Sequence, residues 1–157
     1  MGEIMLHYAY MNTPVGVLTI AEEGGFITNI AFGERNFDGI LSENAVISQA
    51  KAQLGEYFAG TRKDFDLPLD MKGTDFQKRV WSALLTVPYG RTATYKDVAI
   101  KAGSPKGARA VGMANNKNPI VIVVPCHRIV GADGSMTGYA GGIEAKEFLL
   151  KLEKRNI

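Results

Sequence analysis

Residues 94–116 read TYKDVAIKAGSPKGARAVGMANN, and the order of signals in this stretch decides the architecture of the C-terminal half. Thr94 with Asp97 three residues on is a helix-start pair. A short helix through Val98 and Ala99 follows, then a tight Gly103-Ser104-Pro105-Lys106 turn, then a second helical segment from Gly107 to Asn116. Two short helices about such a turn have the layout of a helix-turn-helix. The second helix is unusually bare, with Ala108, Ala110, Gly112 and Ala114 interleaved. Glycine weakens a helix, so the composition gives up helix propensity for close approach of the backbone to something else. That partner is either a nucleic acid or the packing surface of the other half. Arg109 is the one long charged side chain on the segment, and an exposed arginine there is commonly a phosphate contact.

Downstream lies an apolar run, Ile120 to Val124, then Pro125-Cys126-His127-Arg128, which holds the only cysteine and one of two histidines. A thiol beside an imidazole is raw material for a sulfur nucleophile, because the thiolate reacts and a neighbouring base makes it. A lone cysteine is also often a small buried apolar residue, and adjacent residues on an extended strand face opposite ways. The flanking proline and arginine, and a glycine-rich stretch from Gly131 to Gly142, favour a site. Upstream, Thr74 with Gln77 forms a capping pair for a helix presenting Phe76, Val80, Trp81, Leu84 and Leu85, broken at Val87-Pro88-Tyr89-Gly90. A last amphipathic segment carries Ala145, Phe148, Leu149 and Leu152.

The first 70 residues read differently. Met5 to Met11, Val15 to Ala21 and Phe26 to Phe32 are rich in β-branched and aromatic residues and are separated by turn signals, which predicts an antiparallel meander. Ser42 is the expected cap of a helix carrying Val46, Ile47, Ala50, Leu54, Tyr57 and Phe58, ended by Gly60. His7 has no acidic or cysteine neighbour in sequence and reads as an ordinary strand residue. The fold class is therefore α+β: an N-terminal antiparallel sheet with one covering helix over 1–70, then a mainly helical domain with a helix-turn-helix over 71–157.

Charge divides at the same place. Residues 1–70 hold four Lys+Arg and ten Asp+Glu, a balance of −6; residues 71–157 hold fourteen and six, a balance of +8. The basic half is the candidate for a polyanion, since phosphate neutralisation supplies much of nucleic-acid affinity. No apolar stretch is long enough for a membrane span and no signal segment precedes the first strand, which predicts a cytoplasmic protein. One cysteine excludes an internal disulfide and a cysteine-rich zinc site. There is no phosphate-binding glycine loop and no paired metal ligands, so no cofactor is expected.

Asn118-Pro119, Pro125-Cys126-His127-Arg128-Ile129-Val130, Gly138-Tyr139-Ala140-Gly141-Gly142 and Lys146-Glu147-Phe148-Leu149-Leu150 together resemble the active-site signature of the O6-alkylguanine-DNA alkyltransferases. The resemblance extends back through Tyr89-Gly90-Arg91-Thr92 and Tyr95, covering roughly residues 74 to 155. It implies single-turnover transfer of an alkyl group from O6-alkylguanine in double-stranded DNA to Cys126, by a monomer, after the damaged nucleotide has been rotated out of the duplex. The catalytic set it implies is Cys126 as nucleophile, His127 as its base through a water, Glu147 holding His127, Tyr95 supplying a proton to the base, and Asn118 fastening the cysteine loop. It further implies that the second helix enters the minor groove, with Arg109 filling the gap in the stack and Ala108, Ala110, Gly112 and Thr94 on the DNA side. The pocket would be formed by Tyr139, Ala140, Ile129, Thr137 and Asn115, the last two being departures from familiar relatives. Two other readings stand beside this one. A lesion-binding protein without transfer would have its cysteine replaced, and a cysteine hydrolase would turn over repeatedly and need no basic helix-turn-helix.

Overall fold

A computed structural model describes residues 5–136 and 138–157. Thr137, expected in the pocket, lies outside the described residues. The chain divides into two compact units, Met1–Met71 and Lys72–Ile157.

In the first unit, β1 (Leu6–Thr13), β2 (Gly16–Glu23) and β3 (Phe26–Phe32) form the expected antiparallel meander, with a bulge between Ala21 and Glu22. The sheet is not purely antiparallel: a two-residue strand, β4 (Ile40–Leu41), pairs parallel to β1, giving the order β3-β2-β1-β4. Two residues carry too little alternation to be read as a strand. Helix α1 (Ala45–Phe58) packs on this sheet; its Ile47, Ala50, Leu54 and Tyr57 are buried, as are Leu18, Ile20, Ile27 and Ile30 of the strands. Its cap is Asn44 rather than Ser42, because the Asn44 side chain accepts from the amide of Ile47 and so satisfies an orphan donor of the first turn. The Gln53 amide both donates to and accepts from the Asp66 backbone at 2.9 Å, and Ile27 exchanges backbone bonds with Pro68 and Asp70. These contacts return the end of the unit to the edge of its own sheet.

The second unit opens with α2 (Asp75–Leu84), whose capping box uses Thr74 and Gln77 as expected. A two-residue strand, β5 (Ala93–Thr94), leads into α3 (Tyr95–Lys101), where Thr94 and Asp97 form a second capping box. The second helix of the helix-turn-helix is α4 (Ala108–Asn116), and α2, α3 and α4 pack on one another. The buried indole of Trp81 donates to the carbonyl of Ala114 at 2.9 Å, which fixes the end of α4 to α2. Ile120–Val124 is not a strand. It forms successive turns, with Val124 N bonded to Ile120 O, and Ile122 adopts a left-handed φ of 71° that β-branched residues rarely take. One turn of 3-10 helix, Cys126–Arg128, follows, then β6 (Ile129–Val130), which pairs parallel to β5. Helix α5 (Ile143–Arg155) closes the unit, burying Ala145, Lys146, Leu149, Leu152 and Glu153. The β5–β6 pair places the start of the helix-turn-helix beside the residues that follow Cys126.

Candidate active site

Cys126 is 2% exposed and begins the 3-10 turn; His127 and Arg128 complete it, all three buried. A helical turn removes the opposition of faces that a strand would impose on neighbouring side chains. The loop before it is held from two sides. Asn118 donates through Nδ2 to the Val124 carbonyl at 2.7 Å and accepts from the Ile120 amide at 3.0 Å, while its own amide bonds to Asn115 O at the end of α4. Asn115, also buried, donates to the Cys126 carbonyl at 3.4 Å, and its Oδ1 has no hydrogen-bond partner among the described residues.

The acid that holds His127 is Glu153, not Glu147. His127 Nε2 lies 2.6 Å from Glu153 Oε2, both side chains fully buried. Arg128 grips the same carboxylate twice, Nε to Oε1 at 2.8 Å and Nη2 to Oε2 at 3.1 Å, and donates through Nη1 to the Val87 carbonyl. A fourth donor is the amide of Gly90 at 3.2 Å. Gly90 reaches it in a left-handed conformation, φ 77°, where an added Cβ would stand 2.6 Å from Ile157. Glu147 is half-buried and lines an outer groove of about 340 Å³ with Gly90, Thr92, Met136, Leu150, Lys151 and Lys154. The reason is helical geometry: residue 153 follows Lys146 and Leu149 at i+7 and i+4 on the inward face of α5, and residue 147 lies off that face.

This arrangement fixes protonation. Burial pushes the Glu153 carboxyl upward, but the hydrogen bonds from His127 and Arg128 and the guanidinium charge bring it down to about 2, so it is ionised. Burial pushes the imidazole of His127 downward against the pull of Glu153, so at neutral pH it is uncharged. A neutral imidazole facing a carboxylate carries its proton on Nε2, which leaves the lone pair on Nδ1. Nδ1 is buried and has no hydrogen-bond partner among the described residues. Cys126 is pushed up to about 11 by burial, against opposing pulls from Asn118, Tyr139 and Lys146, so it rests as the thiol. Lys146 is fully buried and donates to the Ile129 carbonyl, one residue past the 3-10 turn.

Of the other expected residues, Ile129 is buried, Tyr139 half-buried and Ala140 exposed. Tyr95 begins α3 and approaches α4, its ring 3.6 Å from where a Cβ on Gly112 would stand. Arg109 and Ala110 are exposed on α4, while Ala108 and Gly112 are half-buried. Thr94 is half-buried, its hydroxyl spent on the α3 cap. The sequence marks Arg128 only as a neighbour of the cysteine and does not point to Glu153 or Lys146. The available signal was an acid and a lysine seven residues apart, both on the apolar face of the last helix.

Residues 75–155 match the family described as 6-O-methylguanine DNA methyltransferase, DNA binding domain, and residues 6–71 match the ribonuclease-like domain of the same proteins. The chain belongs to the 6-O-methylguanine DNA methyltransferase family. The methylated-DNA–protein-cysteine methyltransferase of Mycobacterium tuberculosis H37Rv is 49% identical over 154 residues, spanning 96% of this chain and 93% of that one. That of Methanosarcina acetivorans is 48% identical over 153 residues, covering 94% and 98%. The crystal structure of Mycobacterium tuberculosis OGT in complex with DNA superposes with a TM-score of 0.90 at 48% identity, over 96% of this chain and 94% of that one. The methyltransferase fold thus extends over both units, and every element that carries the Cys126 cluster lies within the matched domain.

Proposed function

We propose that this methyltransferase repairs DNA directly, moving the alkyl group of O6-alkylguanine in a duplex onto Cys126 in one irreversible turnover. The observation that carries the proposal is a neutral His127 held by ionised Glu153 on the same buried 3-10 turn as Cys126. A thiol that rests protonated needs a base, and a neutral imidazole with its free lone pair on Nδ1 is one. The thiol proton passes through a water to Nδ1, and the carboxylate of Glu153 stabilises the imidazolium that results. The sulfur attacks the alkyl carbon, forming the C–S bond as the C–O6 bond breaks with its electron pair on guanine. Tyr95 supplies a proton to the departing base, and the proton gained by His127 restores the balance through solvent. The product is a thioether, which thiol exchange cannot reverse, so each molecule acts once.

The O6 substituent lies on the pairing edge inside the duplex, out of reach of a buried sulfur, so the nucleotide must leave the stack. In this reading α4 lies in the minor groove, its small residues admit the sugar-phosphate backbone, and Arg109 fills the gap. Tyr139, Ala140, Ile129 and Asn115 surround the extruded base. The protein acts as a cytoplasmic monomer, since transfer to its own thiol needs no second copy. Incubation with a duplex carrying a radiolabelled O6-methyl group tests the proposal. One label per protein molecule, on Cys126, is expected; binding without label would identify a lesion binder instead, and repeated release of methanol a hydrolase.

A further inference from the structure

Met113 is 69% exposed, near the middle of α4, whose other exposed residues are Arg109, Ala110 and Asn116. The helix buries Val111, Ala114 and Asn115 against the unit, so its opposite face looks outward. On that face Met113 follows Arg109 by four residues, one turn on, which makes the two side chains neighbours along the helix axis. Lys106 and Lys117, both exposed, bracket the helix in sequence. Isolated apolar residues on a surface are ordinary. This one shares a turn with Arg109, at a place where Ala108, Ala110 and Gly112 keep the neighbouring side chains short.

We infer that Met113 is an apolar wedge that works with Arg109 in the minor groove, pressing against the base step beside the target nucleotide and holding it open. The inference rests on the proposed entry of α4 into that groove. Proteins that unstack DNA from the minor groove do so with Phe, Leu, Ile, Met or Pro. Methionine suits an irregular gap because its side chain is unbranched and polarizable. Arginine supplies charge and hydrogen bonds to the vacated position; the thioether supplies contact with an unstacked base face, which water solvates poorly. The ligand is therefore duplex DNA in which one step can open, and Met113 is a positioning residue that touches no reacting atom.

The test compares wild type with Met113→Ala, Met113→Gln and Met113→Leu, all changes at an exposed site. Single-turnover transfer is measured from a duplex with a central O6-methylguanine and from free O6-benzylguanine. Removing the apolar contact in Met113→Ala and Met113→Gln should slow duplex transfer about tenfold, a fraction of the free energy of burying one such side chain. Met113→Leu should stay within about threefold of wild type, and 2-aminopurine placed beside the lesion should brighten less on binding the slow variants. Free benzylguanine has no stack to open, so its rates should separate from the duplex rates. Equal duplex rates for all four proteins, faster transfer by Met113→Ala, or parallel losses on both substrates would overturn the wedge. If wild type itself transfers nothing from the duplex, the repair reading fails instead.

Discussion

At Glu153 four donors converge on one buried carboxylate: the His127 imidazole, two guanidinium nitrogens of Arg128 and the Gly90 amide. Replacing it with glutamine keeps the shape, removes the charge that stabilises an imidazolium, and leaves Arg128 buried without its counter-ion. A general base contributes about 10²–10⁴-fold, so Glu153→Gln should lower single-turnover transfer by at least about a hundredfold. It should also destabilise the fold by roughly 3–5 kcal/mol, the cost of breaking a buried pair on one side. Glu147→Gln, in the outer groove, should leave the rate within about twofold. Reversed outcomes for the two variants, read in a quench assay and a thermal melt, would return the positioning role to Glu147. Cys126 and His127 stood out in the sequence through their flanking residues and the family resemblance, not through adjacency, because neighbours on a strand would face apart. The 3-10 turn that buries both was not readable. Glu153 did not stand out, because an acid on a helix declares its partner only once the helix is docked. The left-handed φ of Ile122 was equally hidden, since local preference argues against it and only the crowded loop imposes it.

Elements were legible where their ends carry side-chain signals. Thr74 with Gln77 and Thr94 with Asp97 announced α2 and α3, and both capping boxes form. Asn44 and Ser42 are equally good caps by composition, and the docking of Ile47 chose between them. The β5–β6 pair could not be read: each strand has two residues, and they are 36 positions apart. Thr94 ends that strand and caps the first helix of the helix-turn-helix, so Thr94→Ala should cost about 1 kcal/mol, as lost caps do. The loss should appear as faster hydrogen exchange at the start of α3 with α2 unaffected; uniform acceleration across the unit would mean the cap does not act locally. Arg109 lies one helix further, exposed on α4. Arg109→Ala should slow transfer from duplex DNA by about tenfold or more, the cost of an unstacking step no longer offset, with little change on free O6-benzylguanine. Equal losses on both substrates would assign Arg109 to the fold.

At the scale of the molecule the buried ionisable groups set a window of stability. Glu153 is held near 2 against an ordinary value of 4.5, so its contribution is complete above 4.5 and is lost as pH falls toward 2. By linkage this is on the order of 3 kcal/mol. His127 is held below its ordinary 6.5, so the unfolded chain takes up a proton that the folded one refuses, and stability begins to fall below 6.5. Cys126 is raised from 9.0 to about 11, so an alkaline decline should run between those values. Melting temperature against pH should thus form a dome, and Cys126→Ser should lose its alkaline shoulder. A flat profile from pH 4 to 10 would show that these groups are not buried as described. The charge division into an acidic first unit and a basic second unit was legible in composition alone. The basic unit is the one that matches the family's DNA binding domain.

Transfer by this protein turns on Cys126 receiving the alkyl group. Intact-mass measurement after incubation with excess O6-methylguanine duplex tests it most directly. Each chain should gain one methyl group, mapped to Cys126 by peptide sequencing, that stops at one equivalent and is abolished in Cys126→Ala while duplex binding survives. A Cys126→Ala protein that still gained the methyl group, or a wild type that demethylated many equivalents of DNA without gaining mass, would contradict it.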